Sequence, residues 1–210
     1  TQALAGEPLA VEEERDGWAL VRTAYDYPGW IRAEALGEAP AGDWLGAARE
    51  GDPVAEARAY LGSPYLWGGM SEAGIDCSGL VHMVHRRLGR LVPRDADQQE
   101  EAAVEVSEPR YGDLATYGQP AATHIAFWLG DGRILHASGG RGVVEEDEPA
   151  ELTAIRRRLD AWRVGALPAG ALVTPVTVLP PPVRFHLGAA WASADLGTSG
   201  TEPSTLSWFL

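Results

Sequence analysis

The sequence predicts an α+β fold, and three observations predict it. Apolar residues recur at helical spacing between Pro53 and Leu91, then switch to period two and short apolar runs from Tyr111 onward. Helices followed by strands, rather than alternating with them, place the helices against an antiparallel sheet. The first 40 residues carry short strand-like stretches of their own, too few for a sandwich and adequate for part of a small β-barrel.

Composition allows such a core and narrows the function. The chain has 210 residues, 45% hydrophobic and 22% charged, enough to bury a core in one ordinary domain or two small ones. Cys77 is its single cysteine, so no internal disulfide holds the fold. Seventeen basic residues against 30 acidic ones give a formal charge of −13. Such a surface repels phosphate backbones and argues against nucleic acid as a partner. It argues equally against anionic wall polymers and membranes, and favours a small or zwitterionic substrate in a local pocket. No run of about 20 apolar residues occurs, so no transmembrane helix is expected. The chain opens on Thr1 rather than Met, as a trimmed product would, and the sequence assigns it to neither the cytoplasm nor the cell envelope.

The elements follow in order. Glu7 to Glu12 alternates weakly, Trp18 to Arg22 follows an Asp16-Gly17 turn, and Pro28-Gly29 precedes Trp30-Ile31. Residues 38–44 form a linker rich in small residues. A helix is expected from Pro53 to Leu61, with Asp52 as N-cap, Pro53 in the first turn and Gly62 as the stop. Tyr65 to Gly69 reads as a loop. A second helix begins at Asp76 or Cys77, with Leu80, Val81, Val84, Leu88 and Leu91 on its buried face and Arg86, Arg87 and Arg90 facing water. Leu114 to Tyr117, His124 to Leu129, Arg133 to Ala137 and Gly142 to Glu145 read as strands, with Gly112-Asp113 and Gly130-Asp131-Gly132 as turns. Glu145-Glu146-Asp147-Glu148 reads as solvated turn surface. After residue 165 Ala, Gly and Pro accumulate and charges become scarce, which reads as a poorly ordered tail or an extended strap.

Chemistry concentrates around three residues. Cys77 sits where a turn becomes a helix, and the partial positive charge of a helix N-terminus favours the reactive thiolate. Alone, such a cysteine also fits a small buried hydrophobe. His124 and His136 lie on strands joined by the Gly-Asp-Gly hairpin, at an even spacing compatible with one face of the sheet. His124 would then take the thiol proton and His136 would hold its ring, the nucleophile–base–orienter logic of a catalytic triad. Without that context they fit two ordinary strand histidines.

Pro64-Tyr65-Leu66-Trp67-Gly68-Gly69 and Asp76-Cys77-Ser78-Gly79-Leu80-Val81 resemble the active-site signature of the NlpC/P60 cysteine peptidases. Gly112-Asp113-Leu114, His124-Ile125-Ala126-Phe127-Trp128-Leu129-Gly130 and Ile134-Leu135-His136-Ala137 match the same family in order and spacing. The resemblance spans roughly residues 52–158 and implies a papain-like core, with the cysteine opening a helix packed on a sheet. It implies hydrolysis of murein stem peptides, commonly between γ-D-glutamate and a diamino acid, with no cofactor and no metal. Carried over, Cys77 is the nucleophile and His124 the general base. His136 is the orienting residue, at a position where the family carries a polar side chain. Tyr65, with the Cys77 backbone N–H, supports the oxyanion.

Residues 1–40 resemble part of a bacterial SH3-like module through Gln2-Ala3-Leu4-Ala5-Gly6-Glu7, Asp16-Gly17-Trp18 and Tyr27-Pro28-Gly29-Trp30-Ile31. Some relatives with this arrangement are γ-D-glutamyl-L-diamino-acid endopeptidases of murein recycling, in which the SH3-like domain helps recognise a free N-terminal L-alanine. An ammonium pocket needs carboxylates, so Glu7 and Asp95 are the candidates, with Tyr27 as a nearby hydroxyl; Ser78 and Trp67 would line the cleft. The expected division is an SH3-like region at 1–40, a linker at 41–51, a catalytic domain at 52–165 and the tail at 166–210. The SH3-like part is short for such a module, and the tail has no counterpart in the family pattern.

Rival readings use the same residues: a non-catalytic envelope-binding module, an acyltransferase or thioesterase on a papain-like fold, or an amidase cutting between muramic acid and L-alanine. His82 and His85 stand at metal-compatible spacing without a third ligand and read as a polar helix face. Of the tryptophans, Trp18 and Trp30 read as barrel core, while Trp44 and Trp67 are open to substrate roles.

Overall fold

The computed structural model describes residues 1–37, 45–150 and 152–159, together with the backbone of residues 173–175 and 183–184. The expected linker at 38–44, with Trp44, and most of the tail lie outside the described residues.

The N-terminal region consists of β1 (Gln2–Ala3), β2 (Pro8–Arg15), β3 (Trp18–Thr23) and β4 (Pro28–Arg32). Asp16-Gly17, both at positive φ, forms the tight turn between β2 and β3. Alternate residues Ala19, Val21 and Ile31 bury with Ala3 and Leu9 in a small core. Trp30 is buried, while Trp18 is half-buried beneath the Arg32 guanidinium at 4.2 Å.

The rest of the described chain runs through α1 (Pro53–Arg58), β5 (Met70–Ser71), β6 (Gly74–Ile75), α2 (Cys77–Arg87), α3 (Ala96–Ala102), β7 (Val104–Glu105), β8 (Leu114–Tyr117), β9 (His124–Gly130), β10 (Arg133–Ser138), β11 (Gly142–Asp147) and β12 (Ala154–Arg158). Asp52 caps α1, its carboxylate accepting from the Val54 N–H at 2.9 Å. Strands β11, β10, β9, β8, β12 and β7, in that order, make an antiparallel six-stranded sheet. This is the α+β arrangement expected, with α2 lying across β9 and β10. Ile125, Phe127, Leu135 and Ala137 pack toward Leu80, Val81 and Val84 of that helix. The alternating residues Ala126 and Ile134 join Ala115 and Tyr117 in a second cluster. The central strands are thus buried on both faces, which fixes their register.

Four expectations change. The tail contributes two short strands, β13 (Val173–Pro175) and β14 (Val183–Arg184), which pair with β2 and β1 respectively. The N-terminal sheet therefore recruits strands from the far end of the chain, a pairing that local periodicity cannot reveal. The acidic run is not turn surface: Glu145, Glu146 and Asp147 belong to β11, and Glu148 accepts from Tyr117 at 2.6 Å and pairs with Arg156 at 2.5 Å. His82 and His85 are buried rather than solvated, each with Nδ1 2.8 Å from a backbone carbonyl, of Val92 and Val81. Arg86 turns away from water to meet Glu7 at 3.4 Å.

Candidate active site

The site is built where α2 begins. Asp76 is the N-cap: Oδ1 accepts from the Gly79 N–H at 2.7 Å, and Oδ2 accepts from the Gly68 N–H at 2.6 Å. One carboxylate thereby joins the Trp67-Gly68-Gly69 loop to the helix that Cys77 opens. Arg94, buried to 1% exposure, donates to both oxygens of Asp76, to the Ser78 hydroxyl at 3.0 Å and to the Gly69 carbonyl at 3.1 Å. Gly79 has to be glycine: a Cβ there would stand 2.3 Å from the Gly69 carbonyl oxygen and 2.8 Å from Asp76 Oδ1.

Cys77 is buried at the floor of a cleft of about 270 Å³, lined also by Tyr65, Trp67, Ser78, Asp95 and Tyr27. Burial pushes its thiol up to about 11, with the neighbouring Asp76 charge adding to the rise. The backbone N–H groups of Ile125 and Ser78 and the Arg94 charge oppose this without overcoming it. The helix N-terminus favours the thiolate, but desolvation outweighs it, and the resting group is a thiol whose proton is left for a base to take.

Ile125 follows His124 on β9, so the strand that carries the histidine begins at the sulfur. His124 Nε2 and His136 Nδ1 are 2.7 Å apart, with the rings at 79° to each other. His136 Nε2 is in turn 2.7 Å from Glu146 Oε1. Burial, then the His136 ring, lowers His124 to about 4, so both rings are neutral near pH 7. In sequence Glu146 reads as surface. Its place follows from strand register, which pairs Ile134 with Glu146 and His136 with Val144. Residues 136 and 146 are therefore diagonal neighbours on one face, within reach of a glutamate. An acidic residue ten positions after a candidate histidine, across a tight turn, was the signal available.

The outer end of the cleft joins the two regions of the chain. Tyr27, from the loop before β4, and Asp95, the N-cap of α3, both line it, and Arg94 Nη1 lies 3.9 Å from the Asp95 carboxylate. Burial raises the Asp95 carboxyl above its ordinary value, with Arg94 opposing. Tyr65 borders Cys77, its hydroxyl pushed well up by burial and by the sulfur. Trp67 is 78% exposed at the rim.

Glu7 is elsewhere. Its side chain is fully buried between the N-terminal sheet and α2, accepting from the Leu4 N–H at 3.0 Å and pairing with Arg86, beside Tyr25. It does not line the cleft, and the ammonium-pocket expectation is withdrawn for it. A second polar tie at this junction is the Met70 N–H donating to Gln2 Oε1 at 2.7 Å.

Residues 62–163 match the NlpC/P60 family, and residues 1–36 match the bacterial dipeptidyl-peptidase SH3 domain. A γ-D-glutamyl-L-lysine dipeptidyl-peptidase of Bacillus subtilis is 36% identical over 110 residues, covering 47% of this chain and 37% of the relative. The peptidoglycan endopeptidase RipB of Mycobacterium tuberculosis is 36% identical over 106 residues, covering 43% of this chain and 44% of the relative. The chain thus spans less than half the length of these relatives. The solved structure of the peptidoglycan hydrolase RipB is 31% identical, with a TM-score of 0.47, and the match covers 53% of this chain and 64% of that one.

Proposed function

With an NlpC/P60 domain behind a bacterial SH3 domain in one chain, we propose that the protein is a cysteine endopeptidase of murein stem peptides. Its preferred bond is the one between γ-D-glutamate and the diamino acid, in fragments that retain a free N-terminal L-alanine. The observation that carries this reading is the cleft itself, with Cys77 at its floor and both the Asp95 carboxylate and Tyr27 of the N-terminal region in its wall. A carboxylate there suits the ammonium of a short peptide whose reacting carbonyl lies over the sulfur. The names of the relatives support the same substrate class.

The chemistry follows from the protonation states. Cys77 and His124 rest as thiol and neutral imidazole. With substrate bound, the thiol proton passes to His124 as the sulfur attacks the γ-glutamyl carbonyl carbon. The tetrahedral oxyanion lies toward the Cys77 backbone N–H and the Tyr65 hydroxyl, which stabilise it by hydrogen bonding. Collapse breaks the C–N bond, and the imidazolium of His124 gives its proton to the departing amine. A water molecule, deprotonated by His124, then hydrolyses the thioester and restores the thiol. His136 holds the His124 ring throughout, and Ser78 and Trp67 border the peptide.

Mass spectrometry of L-Ala-γ-D-Glu-L-Lys after incubation tests the assignment. The dipeptide L-Ala-γ-D-Glu and free lysine are the expected products, and they should be missing with Cys77→Ala. An intact tripeptide, with diaminopimelate in place of lysine also uncut, would overturn it.

A further inference from the structure

We propose that Glu146 is a positioning residue that sets the tautomers of both histidines and so decides which nitrogen of His124 receives the thiol proton. The proposal rests on the peptidase reading for its consequence, and on geometry alone for its content.

A carboxylate only accepts hydrogen bonds. Glu146 Oε1 stands 2.7 Å from His136 Nε2, so that nitrogen carries the proton and donates. Neutral His136 then has its lone pair on Nδ1, which is 2.7 Å from His124 Nε2. One of these two nitrogens must donate, and only His124 Nε2 is left to do so. Neutral His124 therefore keeps its lone pair on Nδ1, the nitrogen remaining for the Cys77 proton. Reversing the first bond reverses the whole chain and leaves a protonated nitrogen toward the thiol, where it cannot act as a base.

Glu146 is itself held. Arg141, from the turn between β10 and β11, donates Nη2 to Glu146 Oε1 at 2.6 Å and pairs through Nη1 with Oε2. The Glu146 side chain is 17% exposed whereas Arg141 is 61% exposed, so the clamp closes from the solvent side over a carboxylate that faces inward. Burial raises the Glu146 carboxyl, and the bonds from His136 and Arg141 outweigh this and keep it ionised. Among the described residues, the charged groups acting on the histidine pair are Glu146 on β11, Arg141 at its turn and Asp76 at the start of α2. Tyr117 on β8 adds its ring, 5.8 Å from that of His124.

The test is nitrogen-15 NMR of the histidine rings in the unliganded native protein, paired with kinetics of Glu146→Gln. Both His124 and His136 should show protonated Nε2 and unprotonated Nδ1. Glu146→Gln offers His136 a group that donates as well as accepts, and removes the charge. It should lower kcat at least roughly 10–100-fold, the range for partners that orient a metal-bound histidine, with KM changed less than about threefold. The acid limb of the profile should move to lower pH, because the imidazolium loses a stabilising carboxylate. A protonated Nδ1 on either ring in the native protein overturns the proposal, as does a variant with native kcat and an unmoved acid limb. The NMR result needs no substrate, so failure of the peptidase reading shows separately, as a native protein with the stated tautomers and no turnover.

Discussion

Arg94 grips both carboxylate oxygens of Asp76, at 3.0 and 2.9 Å, in the interior directly behind Cys77. The pair spans 18 residues and ties the start of α2 to the loop before α3. Its fork-on-carboxylate form suits arginine and not lysine.

Removing one partner of a buried pair leaves an uncompensated charge, at about 3–5 kcal/mol. Asp76→Ala should therefore lower unfolding free energy by about that amount in urea titration, and Arg94→Lys should lose a substantial part of it. A loss under about 1 kcal/mol for Asp76→Ala would mean that the pair does not hold the site together.

The reactivity of Cys77 should rise with pH rather than plateau. With the thiol near 11 and His124 near 4, the thiolate is scarce at neutrality. Iodoacetamide alkylation should climb about tenfold per pH unit from roughly pH 7 toward the thiol value. A flat, fast rate between about pH 5 and 8 would reveal a resting thiolate–imidazolium pair instead.

Buried histidines make the fold acid-sensitive. Burial lowers His82 to about 3 and His85 to about 4, from an unfolded value near 6.5. The unfolded chain then binds more protons below about pH 6.5, so the stability from keeping these rings neutral is present above that pH. It is lost as pH falls toward the folded values. Urea midpoints should drop between pH 7 and 5. His82→Leu should be less stable at pH 7, because the Val92 carbonyl loses its partner, yet should drop less between the two pH values. An unchanged pH slope would contradict the assignment.

On the proposed reading, Glu7 is a structural carboxylate and Asp95 a substrate-binding one. Glu7→Gln should lower stability, since Arg86 loses its buried partner, and should leave the preference for free-amine peptides intact. Asp95→Asn should do the reverse, raising KM for free-amine peptides with little change in unfolding midpoint. The opposite pattern would return Glu7 to the substrate.

The part of this site read from sequence is the part encoded in consecutive residues. Asp52, Asp76 and Cys77 announce helix starts through local capping chemistry, and the Gly130-Asp131-Gly132 turn announces the hairpin that brings His124 to His136. What was missed depends on long-range register and on burial. Glu146 looks like one member of an acidic run until β11 is aligned on β10. Glu7 looks like an available carboxylate until Arg86 arrives from a helix 79 residues away. His82 and His85 look polar until Tyr25 and Phe127 cover them. The protonation state of Cys77 has a related origin: the helix dipole that favours a thiolate is local and visible in sequence, whereas the desolvation that outweighs it belongs to the folded interior.

The most direct test of the central claim compares kcat/KM on L-Ala-γ-D-Glu-L-Lys with kcat/KM on its N-acetylated copy. If Cys77 cuts a peptide whose ammonium is held at Asp95, the free-amine substrate should be preferred at least about tenfold, the worth of one charge-assisted hydrogen bond. Asp95→Asn should abolish that preference, and Cys77→Ala should cut neither peptide. Equal rates on the two peptides in the native protein would contradict the account.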